Sequence, residues 1–584
     1  MSWRNRDRIN PRGRTPSGSG NVPSQVETDS DRLIWIEEFP GRADVWEDMM
    51  PSTDDAHRLT NAYWPADQSE PILDQTIGEA LREIALRYGS RTALIDGTLE
   101  PSRRQWSFND VLETAERAAR SLLNRFTPGE QVAIWAANSP EWVFLEFGAA
   151  LAGITLVTVN PAYLGNEAAH VLGQSQASGV FVQPIYRGRD LVQVIESVRP
   201  DLPHLRHVIS LGDWDAFIAS AEPRTPLPQV RPGDTAQIQY TSGTTGFPKG
   251  AQLTHRGLAN NARLYARVIG AGSADVWVNP MPMFHTAGCG LVTLGALQTG
   301  GVHVLPHAFD PALVLALFEA ERGTVMLSVP TMLIRMLDHP DAATRDLSSW
   351  RLTTLGGAPV PPELVRRAQE TLRLKVAIGY GQTEASPYIT HTLPDDPHPD
   401  WMATVGRPLP GTEVKVVDPR TDETLRVDAI GEICARGVGV MTGYFDDERA
   451  TAAVIDKDGW LHTGDLGSMD ASGYCRIQGR LKDMIIRGGE NIYPREIEDL
   501  LHTHPGVADV AVTGVPDSEW GETVAAFVRQ RPGHSLTEAE LDAFCRRHLA
   551  SYKVPRIWRF VDQFPQTASG KIQKFLLREQ LSPG

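Results

Sequence analysis

The sequence predicts an α/β protein. It has a large N-terminal lobe with mainly parallel sheets sandwiched by helices, plus a β subdomain, and then a small α+β C-terminal domain. Three observations predict this. From about Pro71 to Gly411, apolar runs of strand length alternate with helical repeats, as in a chain of parallel β-α units. After Gly411 the texture changes to short strands with Asp/Gly turns. Beyond Lys482 an independent pattern of strands and helices follows. With 584 residues the chain exceeds one ordinary domain and can bury a large core.

In chain order, Thr76 to Tyr88 reads as an amphipathic helix, with Ile77, Ala80, Leu81, Ile84 and Ala85 on one stripe. Val132 to Ala136 is a buried strand. Asn138-Ser139-Pro140-Glu141 then supplies a cap, a first-turn proline and an early acid, the marks of a helix start. The apolar stretch Phe147 to Val159 reads as a buried helix running into a strand at Thr155 to Thr158. Further strands are expected at Gly179 to Val182, His207 to Ser210, Val302 to Leu305, Thr324 to Val329, Leu352 to Leu355 and Val376 to Ile378, with a helix begun by Asp310-Pro311. The β subdomain takes Thr412 to Val417, Gly431 to Ala435 and Tyr474 to Ile477. The last domain takes Pro494 to Leu501, Val507 to Val515, Glu522 to Arg529 and Leu541 to Leu549. Thr537 and Glu540 are spaced as a capping box for the last of these. The division is therefore a flexible N-terminal extension over 1–70, a large lobe over 71–481 and a small domain over 482–584.

Hydrophobic residues make up 41% of the chain and charged residues 22%, as in a soluble globular protein. The net charge of −16 disfavours a nucleic-acid partner. Cys289, Cys434, Cys475 and Cys545 are scattered, with no C-x-x-C pair, which fits a reducing compartment and argues against a disulfide frame or a zinc site. No apolar stretch approaches the roughly 20 residues that span a bilayer. The first thirty residues set Arg4, Arg6, Arg8, Arg12 and Arg14 among Pro, Gly and Ser. They lack the apolar core of a secretory signal and read as disordered.

One stretch stands out, Tyr240-Thr241-Ser242-Gly243-Thr244-Thr245-Gly246-Phe247-Pro248-Lys249-Gly250. Glycine lets a backbone approach a ligand closely. Hydroxyls and main-chain N–H groups donate to phosphate oxygens, and Lys249 adds a positive charge. The stretch is not a Walker loop, because Pro248 stands where that pattern needs glycine.

This stretch resembles the phosphate loop of the adenylate-forming enzymes, a family of acyl- and aryl-CoA synthetases, luciferases and peptide-synthetase adenylation domains. The resemblance runs from about Pro71 to the C-terminus and implies an enzyme that places a carboxylate against the α-phosphorus of ATP. It gives Thr241 through Lys249 to the phosphates. Gly379-Tyr380-Gly381-Gln382-Thr383-Glu384 is similar to the second core motif, with Tyr380 on adenine, Thr383 on phosphate and Glu384 on Mg²⁺. Gly356-Gly357-Ala358-Pro359 is similar to the adenine segment, so Gly357, Ala358 and Pro359 join the nucleotide set. His462-Thr463-Gly464-Asp465 resembles the ribose motif, with Asp465 on the hydroxyls and Arg480 reaching ribose or phosphate. Lys482 matches the hinge on which the family's small domain swivels. Ser569-Gly570-Lys571 resembles the segment of the catalytic lysine, Lys571. Met283-Phe284-His285-Thr286-Ala287-Gly288 is similar to an acyl-side motif, which makes His285 a substrate-binding residue. In Arg487-Gly488-Gly489-Glu490, the pair Gly488 and Gly489 would face the pantetheine arm of CoA.

Runs such as Asp483 to Pro494, His502-Thr503-His504-Pro505 and Ser569 to Phe575 are similar to the medium-chain fatty acyl-CoA synthetases. The implied reaction joins a fatty acid to CoA through acyl-AMP, with ATP, Mg²⁺ and CoA as partners. A stand-alone adenylation enzyme serving a carrier protein, a ligase of aryl or other acids, and a catalytically silent binding protein remain alternatives. A cytoplasmic location is expected, with mitochondrial import as the alternative, and a homo-oligomer is left open. The acyl pocket is not legible. Cys289 to Leu297 and Val329 to Leu337 are candidates to line it, but core packing is their default reading.

Overall fold

The computed structural model describes residues 58–101, 103–241, 248–488, 490–565 and 572–581. Local signals in the sequence fix many of its elements. Thr76 caps the helix Ile77–Tyr88 in a capping box with Glu79. Ser139 caps Pro140–Ala152, with Pro140 in the first turn. Asp310 caps Pro311–Ala320, and Thr537 with Glu540 caps Glu538–Arg546. Each such cap stabilises its helix by about 1 kcal/mol. The helix Glu538–Arg546 begins three residues before Leu541, its first buried residue, because the cap rather than the apolar stripe sets its start.

Two large sheets form the N-terminal lobe. One runs, in spatial order, Gly443–Tyr444, Lys249–Thr254, Thr235–Thr241, Thr155–Val159, Gln131–Trp135, Gly179–Val182 and His207–Ser210. Its last five strands are parallel. The other sheet has nine strands. Its parallel centre runs Lys375–Gly381, Leu352–Leu355, Val325–Ser328, Val276–Val278, Val302–Leu305 and Thr92–Asp96. Successive strand side chains point to opposite faces, and both faces are covered. On Gln131–Trp135, Val132 and Ile134 pack with the helices Ile77–Tyr88, Phe108–Leu123 and Pro140–Ala152. Ala133 and Trp135 pack on the other side, with Gly165–Gln174 and Leu191–Val198. The first helix set also touches Leu94 and Leu305 of the nine-stranded sheet, so it lies between the two sheets.

The β subdomain is a five-stranded antiparallel sheet, ordered Tyr63–Trp64, Thr412–Val417, Gly431–Gly437, Leu461–Met469 and Cys475–Arg480. Its outer strand corrects one expectation. The flexible extension assigned to 1–70 does not reach Glu70, because residues 58–70 are built into the lobe. Tyr63–Trp64 pairs with Thr412–Val417, and Glu70 is buried against Arg263 and Arg267 at 3.1 and 2.7 Å. A two-residue edge strand has no periodicity to show in a sequence. The rest of that segment, 1–57, lies outside the described residues. A final sheet, Glu490–Ile492, Ile485–Arg487, Gly521–Gln530 and Val507–Asp517 with Ile557–Phe560, belongs to the C-terminal part. No described helix is long and apolar enough to cross a membrane.

Candidate functional site

The glycine-rich loop closes a hairpin. Thr235–Thr241 leads into it, and Lys249–Thr254 returns antiparallel, with Thr241 opposite Lys249 and Tyr240 opposite Gly250. Ser242, Gly243, Thr244, Thr245, Gly246 and Phe247 lie outside the described residues, but their two anchors are fixed. The Lys249 ammonium stands 5.1 Å above the Tyr444 ring. Tyr444 sits on the neighbouring edge strand and donates its hydroxyl to Glu384 Oε1 at 2.8 Å. Burial, reinforced by the Glu384 charge, pushes the Tyr444 phenol up, so it stays a donor. Thus Lys249 and Glu384, 135 positions apart in the numbering, are joined through one aromatic residue. Sequence reading missed Tyr444. It stands 60 positions from its partner, and no local motif marks it.

Glu384 lies in the turn Thr383–Ala385, which follows the strand Lys375–Gly381. The adjacent parallel strand Leu352–Leu355 ends at Gly356-Gly357-Ala358-Pro359, with Leu355 in register with Ile378. Both turns therefore lie at the carboxyl ends of neighbouring parallel strands, where α/β sheets bind ligands. Gly357 has φ +74°, a conformation that favours glycine.

Tyr380, on the same strand, donates its hydroxyl to Asp465 Oδ2 at 2.8 Å. Arg480 Nε is 3.1 Å from Asp465 Oδ1, and the two residues face each other across Leu461–Met469 and Cys475–Arg480. Asp465 is buried. Burial first, then the Asp465 charge, pushes the Tyr380 phenol up. The Asp465 carboxylate raises Arg480 and outweighs the effect of its burial. Two strands of the β subdomain thus carry a buried carboxylate to the tyrosine of the main sheet. Lys482 follows within the turn Leu481–Asp483, and burial, with Arg480 beside it, lowers its ammonium pKa.

His285 Nδ1 accepts the Ala287 N–H at 3.1 Å, at the head of the buried π-helical segment Ala287–Thr293. That segment is tied to the loop strand. The Cys289 thiol reaches the His285 carbonyl at 3.5 Å, and Gln239 Nε2 lies 3.1 Å from Cys289 Sγ. The acyl-side motif and the loop strand are therefore neighbours.

Gly488 belongs to the small domain. It turns the hairpin between Ile485–Arg487 and Glu490–Ile492 with φ +61°, and its N–H donates to the Trp520 carbonyl at 2.8 Å. A Cβ there would lie 2.7 Å from the Trp520 ring, so both conformation and space select glycine. Gly489 and Lys571 lie outside the described residues.

A family described as AMP-binding enzyme matches residues 81–445, and its AMP-binding enzyme C-terminal domain matches 496–571. The chain is 40% identical over 539 residues to YngI of Bacillus subtilis (strain 168), whose name assigns it acyl-CoA synthetase activity provisionally; the match covers 87% of this chain and 97% of the relative. It is 35% identical over 544 residues to the mitochondrial medium-chain acyl-CoA ligase ACSF2 of Rattus norvegicus, covering 87% and 88%. Among solved structures, ATP-bound MatB from Rhodopseudomonas palustris matches with a TM-score of 0.80 at 29% identity, over 87% of this chain and 99% of that one.

Proposed function

The chain belongs to the AMP-binding enzyme family, and on that premise we propose that it is an ATP-dependent fatty acid–CoA ligase that activates a medium-chain acid as acyl-AMP and passes the acyl group to CoA. One observation carries the reading. The groups Tyr380–Asp465–Arg480 and Glu384–Tyr444–Lys249 converge from four separate parts of the chain on the carboxyl ends of the parallel strands.

The chemical obstacle is repulsion, since a carboxylate must approach a polyphosphate. The fold answers it with local positive groups and donors aimed at fixed positions. Asp465 accepts from the ribose hydroxyls, with Tyr380 and Arg480 holding its carboxylate in place. Gly357, Ala358 and Pro359 leave a flat face for adenine. Thr241 to Lys249, with Thr383, receive the phosphates. Glu384 suits Mg²⁺, a hard ion that commonly takes one or two carboxylates plus phosphate oxygens, and Tyr444 fixes the carboxylate's orientation. Mg²⁺ there supplies neutralisation of phosphate charge. The acid lies beside His285, with its tail toward the apolar segment 289–297.

Attack of the acid on the α-phosphorus expels pyrophosphate, and Lys571 offsets the charge that gathers between carboxylate and phosphate. In the second step the CoA thiol attacks the acyl carbon and AMP leaves. Lys571 and the Gly488–Gly489 turn serve different steps, so the small domain swivels at Lys482 between them. The medium-chain assignment is supported by the similarity to ACSF2. A cytoplasmic location fits the scattered free cysteines; the mitochondrial relatives keep import as the alternative.

The test is ATP–pyrophosphate exchange with a panel of acids, with and without CoA. Medium-chain fatty acids should support exchange, and CoA should add AMP release and thioester formation. Exchange without CoA-dependent AMP release would point to a carrier-protein acceptor. A best response to aromatic acids would replace the fatty-acid assignment, and no exchange with any acid would refute the enzyme.

A further inference from the structure

Behind the ribose turn, on two inner strands of the β subdomain, three side chains of different chemistry meet. Cys434 and His462 are cross-strand partners in the register of Gly431–Gly437 and Leu461–Met469. His462 Nδ1 lies 3.5 Å from Cys434 Sγ and 3.0 Å from Glu432 Oε2. On the other side of the ring, Nε2 lies 3.9 Å from Asp456 Oδ2. We propose that Cys434 Sγ, His462 Nδ1 and Glu432 Oε2 form a site for a borderline divalent cation of the Zn²⁺ type, separate from the Mg²⁺ position at Glu384.

The donor set suits such a cation. Zn²⁺ takes thiolate, imidazole and carboxylate ligands in a tetrahedron with bonds of about 2.0–2.3 Å, so its ligand atoms stand roughly 3.3–3.6 Å apart. The Cys434–His462 separation of 3.5 Å falls within that range, and the His462–Glu432 separation of 3.0 Å is a little shorter than it. Three protein ligands leave the fourth position for water. The ring orientation also fits, because a ligating imidazole commonly turns its other nitrogen toward a carboxylate, and Nε2 faces Asp456 at ion-pair distance, 3.9 Å.

The surroundings favour a cation as well. Glu432, Asp456 and Asp422 gather around His462, offset in part by Lys415, whose Nζ is 3.7 Å from Asp422 and 4.7 Å above the Trp460 ring, and by Arg436, whose charge acts on Asp456. His462 and Asp456 retain about a quarter of their side-chain exposure, 25% and 22%, which gives the ion an entry.

The site touches the nucleotide machinery through one residue. Glu432 uses Oε2 toward the cation and Oε1 to accept the Gly464 N–H at 2.9 Å. Thr463 donates to the Ile433 carbonyl at 2.6 Å beside it. A cation that fixes Glu432 therefore braces the turn that presents Asp465.

The probe is Co²⁺, followed by Zn²⁺, on full-length protein stripped with a chelator. The expected result is one equivalent of Co²⁺ with a thiolate-to-metal absorption band, displaced by Zn²⁺ and not by Mg²⁺. Cys434→Ser and His462→Gln should each abolish the band, Cys475→Ser should keep it, and Asp456→Asn should weaken Co²⁺ binding roughly tenfold or more. Zn²⁺ should raise the melting temperature of the stripped wild type and leave that of Cys434→Ser unchanged. The wild-type titration decides even where a variant fails to fold. No thiolate band, a band that survives Cys434→Ser, or displacement by Mg²⁺ overturns the site.

Discussion

At the end of the site proposed for the nucleotide, side chains meet through charge and hydroxyl groups. Tyr380 and Arg480 both hold Asp465, while Tyr444 links Lys249 to Glu384. At the acyl end, Ala287–Thr293 is buried throughout, and His285 is held by a backbone N–H. The difference follows from what each end must bind. A polyanion needs donors and cations at fixed points, so few substitutions are neutral there. A hydrocarbon tail needs only space and apolar contact, which many side chains supply. Loss of a nucleotide-end group should therefore damage adenylation, whereas change at the acyl end should move substrate preference.

The largest break in this contrast should come from Lys571→Ala. Adenylation, read by ATP–pyrophosphate exchange, should fall by roughly 10²–10³, as for loss of one charge-stabilising group. Thioester formation from supplied acyl-adenylate should persist. Equal loss of both half-reactions would remove Lys571 from that role. Asp465→Asn comes next. It deprives Arg480 of a charged partner beside a buried carboxylate position, and KM for ATP should rise roughly tenfold; the exposure of Arg480, 42%, lets water screen part of the loss. An unchanged KM for ATP would break the ribose assignment.

Tyr444→Phe is subtler. It keeps the ring under Lys249 and removes only the hydroxyl bond to Glu384, a loss of about 1 kcal/mol. The Mg²⁺ concentration at half-maximal exchange should rise roughly fivefold, with KM for the acid unmoved. The smallest effect is expected from His285→Ala, a change of a few-fold in KM for the acid with KM for ATP constant. A larger effect on ATP than on acid would dissolve the distinction between the two ends.

The same contrast governs what could be read in advance. Asp465 and Arg480 stand in short motifs with defined spacing, and the structure seats them opposite each other in one register. Caps at Ser139 and Thr537 were legible because each is a local bond between near neighbours. Tyr444 was not, since its meaning depends on Glu384 and on an edge strand only two residues long. The strand at Tyr63–Trp64 escaped for the same reason and left the lobe boundary too far along the chain. The lining of the acyl pocket stayed hidden because apolar residues that face a ligand and those that face a core carry the same pattern.

The most direct measurement is a crystal structure with a medium-chain acyl sulfamoyl-adenosine, a stable mimic of acyl-AMP. The expected result is ribose hydroxyls within hydrogen-bond distance of Asp465, adenine against Gly357 to Pro359 and the acyl chain passing His285. A mimic bound elsewhere, with Asp465 still turned only to Tyr380 and Arg480, would contradict it.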